Sequence, residues 1–342
     1  MLQQTTVVAV VPYFERFLAR FPTVRDLAES NENDVLRLWE GLGYYSRARN
    51  LRKAAEVVVR EYGGEFPADV ETLQKLPGIG RYTAGAIASF AFDLRAPIVE
   101  ANTLRLDCRL LGYDGDPRSK AGQQVLWSFA EAVLPKTQPG RFNQALMELG
   151  ATVCSPKNPN CEQCPVQAHC RAFADGTQAR IPQPATRPAI TEVVEASIAV
   201  HQRGKYLLRR CPAGERWAGL WDFVRFPLDE IAVTKQPSVA KAASPEPHQH
   251  EQIALITRDR SGLSITLGDL ITELRHSVTR YRITLKCFTA TAVSGELLTT
   301  AEWLWVSPQD FDDYPLSVTG RKFAKLLARR AANESGPESS SH

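Results

Sequence analysis

Leu76-Pro77-Gly78-Ile79-Gly80-Arg81-Tyr82-Thr83-Ala84 lies between two helical patterns, near 69–76 and 81–92. Pro77 and the two glycines predict a tight hairpin that residues with a Cβ would hinder. Gly78 and Gly80, lacking side chains, let backbone N–H groups approach a phosphate closely. The helix from Arg81 points its positive end the same way. Such a grip ignores base sequence. Gly-x-Gly alone fits a plain helix connection equally well, but Leu-Pro-Gly-Ile-Gly in this setting is far more specific. Ala84, Gly85, Ala86 and Ala88 then permit close helix packing.

Around this hairpin the first 175 residues read as helical throughout. Val7, Val8, Val11, Phe14, Phe17 and Leu18 recur at helical spacing, with Glu15 and Arg16 opposite. Asp34 to Gly41 carries Val35, Leu36, Leu38 and Trp39. Ala48 to Tyr62 places Leu51, Ala54, Ala55 and Val58 on one face, and Gly63-Gly64 stops it. Further helices are expected near 102–111, 119–134 and 141–152. No period-2 pattern occurs before residue 190.

Four of the seven cysteines, Cys154, Cys161, Cys164 and Cys170, fall within 17 consecutive residues. Their spacing is C-x6-C-x2-C-x5-C. An odd total with one tight group is not a secreted disulfide framework. Four thiolates in one loop suit a [4Fe–4S] cluster or zinc. Structural zinc usually uses two C-x2-C knuckles, and this chain has one such pair, which favours iron–sulfur.

Residues 175–192 change character, with Asp175-Gly176, Pro182, Pro184 and Pro188 making an extended linker. Strand patterns follow. Ala196–Val200 and Tyr206–Leu208 flank Gln202-Arg203-Gly204-Lys205, a hairpin signal. Tyr281, Ile283 and Leu285 alternate with polar residues, and Trp303–Val306 is a further strand. Residues 232–251 read as a loop and 331–342 as a disordered tail. The architecture implied is multidomain: an all-α domain over 1–152, a cysteine loop over 153–174, the linker, and an α+β domain over 193–330.

The chain has 342 residues, 41 Lys plus Arg against 38 Asp plus Glu, and 44% hydrophobic residues. These values exclude a disordered chain, a collagen and a histone-like basic protein. Nucleic-acid binding must then use a local patch. Arg37, Arg47, Arg49, Arg52, Lys53 and Arg60 stand against Glu40 and Glu56 and form the candidate patch. No apolar run approaches the ~18 residues of a membrane span. The polar start Met1-Leu2-Gln3-Gln4-Thr5 shows no signal peptide, so a cytoplasmic, nucleoid-associated location is expected.

Hairpin and cysteine quartet, in this order and about 75 residues apart, resemble those of the helix–hairpin–helix DNA glycosylases that carry an iron–sulfur cluster. Within them the chain resembles the MutY-type adenine glycosylases, which act on A opposite 8-oxoguanine or G. The match rests on Met1–Thr5, on Gly41-Leu42-Gly43-Tyr44-Tyr45-Ser46-Arg47-Ala48-Arg49-Asn50, on 76–84, on Phe142–Gly150 and on the cysteines. It covers nearly all of 1–175.

The resemblance implies a flipped adenine in a pocket and a monomer acting on double-stranded DNA. Leu2 and Gln4 would lie at the lesion, with Gln4 filling the space the base vacates. Tyr44 would wedge beside the orphaned purine; ordinary packing is the plainer alternative. Tyr82 stands where endonuclease III-like relatives place a Schiff-base lysine. A phenol forms no Schiff base, so the chain should be monofunctional.

Adenine release needs an acid for the leaving base and an anion for the oxocarbenium-like sugar. The family's acid is a Glu two residues before Met-Leu-Gln-Gln-Thr. That stretch begins here at residue 1, so little or no glycosylase activity is expected of the chain as it stands. The family's second carboxylate is Asp in Val-Asp-x-Asn; here the string is Val99-Glu100-Ala101-Asn102. Glu100 is the candidate for that electrostatic role, supported by Asn102 and Tyr82. A helix-capping Glu is the alternative reading.

Tyr206–Arg210 followed by Trp217–Phe223 resembles a Nudix-like domain. No Glu-rich Nudix helix string occurs between 224 and 300, so the domain should read a lesion rather than hydrolyse nucleotides. The family's His-x-Phe-Ser-His loop corresponds to His276-Ser277-Val278-Thr279-Arg280. Thr279 retains the hydroxyl for the 8-oxoguanine edge, and Arg280 replaces His. Two other readings stay open: a non-catalytic iron–sulfur lesion-binding protein, and a mismatch glycosylase of another base preference.

Overall fold

The computed structural model describes residues 1–3, 5–184, 189–228 and 247–334. They form two compact units. One comprises Val24–Glu29 and Asn50–Arg187; the other comprises Met1–Thr23, Ser30–Arg49 and Pro188–His342.

Helices in chain order are α1 Val7–Arg20, α2 Val24–Ala28, α3 Glu32–Trp39, α4 Ser46–Tyr62, α5 Val70–Lys75, α6 Arg81–Phe92, α7 Ala101–Leu111, α8 Lys120–Val133, α9 Pro139–Thr152 and α10 Arg171–Ala174. Side-chain caps start several of them. Asn31, Asp69, Glu100 and Ser119 each accept backbone amides of the first turn.

The helical unit has two apolar centres. Ala54, Val58, Leu73, Leu76, Ala84, Ala88 and Ala96 form one, under the hairpin between α5 and α6. Val99, Cys108, Leu126, Trp127, Ala130, Ala172 and Ile181 form the other, under the cysteine loop. Ile181 lies in the stretch expected to be a free linker. It is instead buried, and its carbonyl accepts from Arg109 Nε at 2.9 Å.

The second unit is built on a seven-stranded mixed sheet. Its strands are β1 Thr191–Gln202, β2 Lys205–Arg210, β3 Trp221–Asp222, β4 Val224–Pro227, β5 Leu263–Val278, β6 Tyr281–Gly295 and β7 Trp303–Val306. The main order is β3-β2-β1-β6-β5, with β4 on β1 and β7 on β2. β1 and β6 run parallel, from Thr191 opposite Tyr281 to His201 opposite Thr291. The expected hairpin forms: Arg203 and Gly204, both at positive φ, turn β1 into β2. Two helices cover the sheet, α11 Pro247–Ser261 and α12 Val318–Glu334. Ile253 of α11 joins Ile198, Val200, Phe226 and Phe288 on one face. Phe323, Ala324 and Leu327 of α12 join Trp221, Phe223 and Leu285 on the other.

Three sequence expectations are corrected. The apolar stripe of α1 is not a core stripe: only Val10 and Phe17 are buried, and Val8 is 87% exposed. Residues 247–251 begin α11 instead of continuing a loop, and 331–334 continue α12 instead of starting a tail. The rest of those two segments lies outside the described residues, as do 185–188 of the linker. In addition, β5 carries no clean alternation because bulges interrupt its register on β6 between Ser264 and Ile265 and around Leu270. Among the described residues no helix is long and apolar enough to cross a membrane.

Candidate functional site

Of the hairpin's two glycines, one is dictated by the fold. Gly78 has φ +77° and a Cβ there would stand 2.6 Å from Asn50 Cβ. Gly80 corrects the expectation that both turns exclude a side chain. It has φ −87° at the N-cap of α6, and a Cβ would meet nothing within 4 Å. Its side is open, and Gly80 gives α6 no side-chain cap.

Tyr82 sits in the first turn of α6, half-buried, its hydroxyl 3.9 Å from Met147 Sδ. Burial raises its phenol above the ordinary value, and the charge of Glu100 adds to the effect. The fold therefore brings Tyr82 within electrostatic reach of Glu100. Glu100 caps α7: Oε1 accepts Asn102 N at 2.8 Å and Thr103 N at 3.0 Å, while Thr103 Oγ1 accepts Glu100 N at 2.9 Å. This capping box realises the plainer reading of Glu100, yet it engages only one carboxylate oxygen. Asn102 Oδ1 accepts from Arg105 at 3.1 Å.

Arg105 and Arg109 are buried on α7 and were passed over in the sequence. Arg105 also donates to the Gly150 carbonyl at 2.6 Å and to the Cys154 carbonyl at 2.8 Å. Gly150 is needed for this approach, since a Cβ would lie 2.9 Å from Asn102. Arg109 donates to Cys154 Sγ at 3.2 Å and to the Ser155 carbonyl at 2.8 Å. Their sequence signal is two arginines four apart on the helix that Glu100 caps.

Cys154, Cys161, Cys164 and Cys170 line one pocket, with Leu106, Arg109, Val153, Pro159 and Phe173. All four are free thiols. Among the described residues no three His, Cys, Asp or Glu side chains are arranged to hold a single metal ion. A single zinc needs its thiolates to converge on one point. A cubane instead takes one thiolate per iron, so the sulfurs surround a cavity. The arrangement fits a cluster better than zinc.

In the other unit, Tyr44 follows Gly41 and Gly43, all three at positive φ. Tyr44 is 51% exposed and so lies outside the buried core. Arg47 stacks on Tyr44 and on Trp39, each at 5.4 Å, and donates to Gly43 O at 3.2 Å, Thr5 Oγ1 at 3.2 Å and Met1 O at 2.9 Å. Leu2 is exposed; Gln4 lies outside the described residues. The basic patch is thinner than expected: Arg47 and Arg49 are spent within the protein, Arg49 on the Ala218 carbonyl, and Arg52 pairs with Glu56 at 2.9 Å.

Thr279 and Arg280 form the exposed two-residue turn between β5 and β6, Thr279 at φ +52°. Its hydroxyl donates to the Val278 carbonyl, and Arg280 donates to the Tyr281 hydroxyl at 3.1 Å. Behind the turn, His276 lies 3.4 Å from buried Arg225, which pairs with Glu195 at 2.6 Å and Asp222 at 3.5 Å. Burial and the Arg225 charge push the His276 imidazole down to about 4.

Residues 1–132 match the model of the HhH-GPD superfamily of base excision DNA repair proteins. Residues 154–170 match the iron–sulfur binding domain of endonuclease III, and residues 196–326 match a NUDIX domain. An adenine DNA glycosylase of Rattus norvegicus is 35% identical over 95% of this chain and 70% of its own length. The chain belongs to the adenine DNA glycosylase family. Other members include that of Homo sapiens, 41% identical over 77% of this chain and 48% of its own, and that of Buchnera aphidicola subsp. Schizaphis graminum, 38% identical over 66% and 65%. The chain thus spans from about half to 70% of the length of these three relatives. Like other adenine DNA glycosylases of the MutY type, it joins a helical helix–hairpin–helix part and an iron–sulfur loop to a Nudix-like domain. The matched iron–sulfur stretch begins at Cys154 and ends at Cys170.

Proposed function

We propose that this chain is a monofunctional adenine glycosylase of base excision repair, acting as a monomer on duplex DNA with A opposite 8-oxoguanine or G, in the nucleoid of the cytoplasm. One observation supports the reading: Tyr82, in the first turn after the hairpin, feels the charge of Glu100, and neither residue is an amine. Gly78 and Gly80 present backbone amides to a phosphate. Leu2, Gln4 and Tyr44 act at the lesion, and Thr279 and Arg280 at the orphaned purine. The cluster, held by Cys154, Cys161, Cys164 and Cys170, supplies a rigid fastening for the loop that Arg105 and Arg109 tie to α7.

The capping amides fix Glu100 Oε1 in place, and the oxygen outside the cap stabilises positive charge developing on the sugar. Asn102 and Tyr82 orient this end of α7. With Tyr82 a phenol raised above its ordinary value, no amine forms a Schiff base and the product keeps an abasic strand.

The test uses the cluster-loaded chain with duplexes carrying a single A opposite 8-oxoguanine. The expected result is at least about tenfold preference over a matched duplex, adenine release, and strand breaks only after alkali. No adenine release, or breakage without alkali, would contradict the proposal. Faster loss of thymine opposite G would favour the alternative base preference.

A further inference from the structure

Glu40, at the C-terminal end of α3, heads the loop that ends in Tyr44. Nearly every group of this loop is pinned. The Glu40 carbonyl accepts from Tyr13 Oη at 3.0 Å, Gly41 N donates to Tyr45 Oη at 3.3 Å, and Gly43 O accepts from Trp39 Nε1 at 3.1 Å. Such over-determination is what a non-glycine residue at positive φ requires. One pin comes from far along the chain. Arg321, on α12, donates Nε to Glu40 Oε1 at 2.7 Å and its terminal nitrogen to Oε2 at 2.9 Å. The same guanidinium donates to the carbonyls of Phe311 at 2.7 Å and Tyr314 at 2.6 Å, and to Asp312 at 2.8 Å. Leu316 N reaches Glu40 Oε2 at 3.4 Å. Glu40 and Arg321 side chains are only 18% and 14% exposed, so this fork is shielded and directional, unlike a surface ion pair.

We propose that Arg321 is a positioning residue for Tyr44: through its two-pronged pair with Glu40, the C-terminal domain holds the 40–44 loop in the conformation that presents the tyrosine. The proposal rests on the reading that Tyr44 enters the duplex. It adds that the Nudix-like domain sets the wedge as well as the turn at Thr279 and Arg280. Glu40 lies between the two segments that carry the family match, so nothing in the motifs marks it.

The experiment compares the cluster-loaded chain with R321Q, R321K, E40Q and Y44A, all labelled with 3-fluorotyrosine. Tyr44 is assigned in the 19F spectrum by its disappearance in Y44A. In the free protein, R321Q and E40Q should shift or broaden the Tyr44 resonance alike, and R321K should fall between. On DNA, 2-aminopurine placed beside the 8-oxoguanine reports unstacking. R321Q should lose most of that signal and about tenfold of the lesion preference, with matched-duplex affinity kept. Adding R321Q to Y44A should change neither further. An unmoved Tyr44 resonance in R321Q and E40Q, or additive losses with Y44A, overturns the proposal. If R321Q fails to fold, E40Q, which leaves the guanidinium its carbonyl partners, decides by the same criteria. A moved resonance with no 2-aminopurine signal from the parent supports the positioning and rejects the wedge reading.

Discussion

Arg105 reaches from the middle of α7 to the Cys154 carbonyl at 2.8 Å, and its other nitrogens hold Asn102 and Gly150. One buried guanidinium thus joins the first turn of the Glu100 helix, the end of α9 and the first cysteine of the cluster loop. Arg105→Ala takes a donor from the buried Cys154 and Gly150 carbonyls and opens a cavity, at a cost of about 3 kcal/mol or more. The expected outcome is a lower thermal midpoint and less bound iron per chain, read by calorimetry and by the cluster's visible absorbance. Arg105→Lys, which spans fewer acceptors, should recover part of both.

Glu100 combines a cap with a charge, and two substitutions separate them. Glu100→Gln keeps an oxygen for the Asn102 and Thr103 amides but removes the anion. Single-turnover adenine release should fall about 10²-fold or more, while lesion binding stays within about threefold. Glu100→Asp also caps well and shortens the side chain by one methylene, moving it to the family's residue. Release by this variant should equal or exceed that of the parent.

Tyr82→Lys places an amine in the first turn of α6, within reach of the Glu100 charge. Borohydride should then trap a covalent adduct with abasic or lesion-bearing duplex, seen as a shifted band in a denaturing gel. The parent should give none. Absence of a trapped band from a folded Tyr82→Lys variant would place residue 82 away from the sugar.

The two hairpin glycines should respond differently. Gly78→Ala forces an L side chain into positive φ and against Asn50, and should cost about 1–3 kcal/mol in a thermal melt. Gly80→Ala meets nothing inside the protein. It should leave the melt unchanged and weaken duplex affinity by about tenfold, because the methyl group stands where a phosphate would approach.

Asp107 gives a pH signature. It is 1% exposed, and neither carboxylate oxygen has a hydrogen-bond partner. Burial, with the Glu100 charge adding, pushes its carboxyl from 3.8 up to about 8. Between these values the folded chain holds a proton that the unfolded chain releases. Stability therefore falls as pH rises through this window, by up to about 1.4 kcal/mol per pH unit. Asp107→Leu removes that slope, so its advantage over the parent should widen from pH 5 to pH 8. His276 acts oppositely: its imidazole is lowered from 6.5 to about 4, so the stability it contributes is lost as pH falls through that range. Both chains share it, and the difference between them isolates Asp107.

The sequence by itself determined the elements whose cause is local. Capping residues, helical periods and paired glycines placed α5 to α9 within a residue or two, and Arg203-Gly204 placed the β1–β2 turn. The cysteine spacing pointed to one shared pocket, because a loop that short brings its own thiols together. What only the tertiary structure decided depends on partners distant in sequence. The α1 stripe has the period of a buried helix but lies largely in solvent, since no period states what packs against it. Arg105 and Arg109 belong to no motif, and become interior fasteners through carbonyls 45 to 72 residues away. Glu40 and Arg321 stand 281 residues apart. Neither belongs to a motif, and their pairing exists only because the fold excludes water around both.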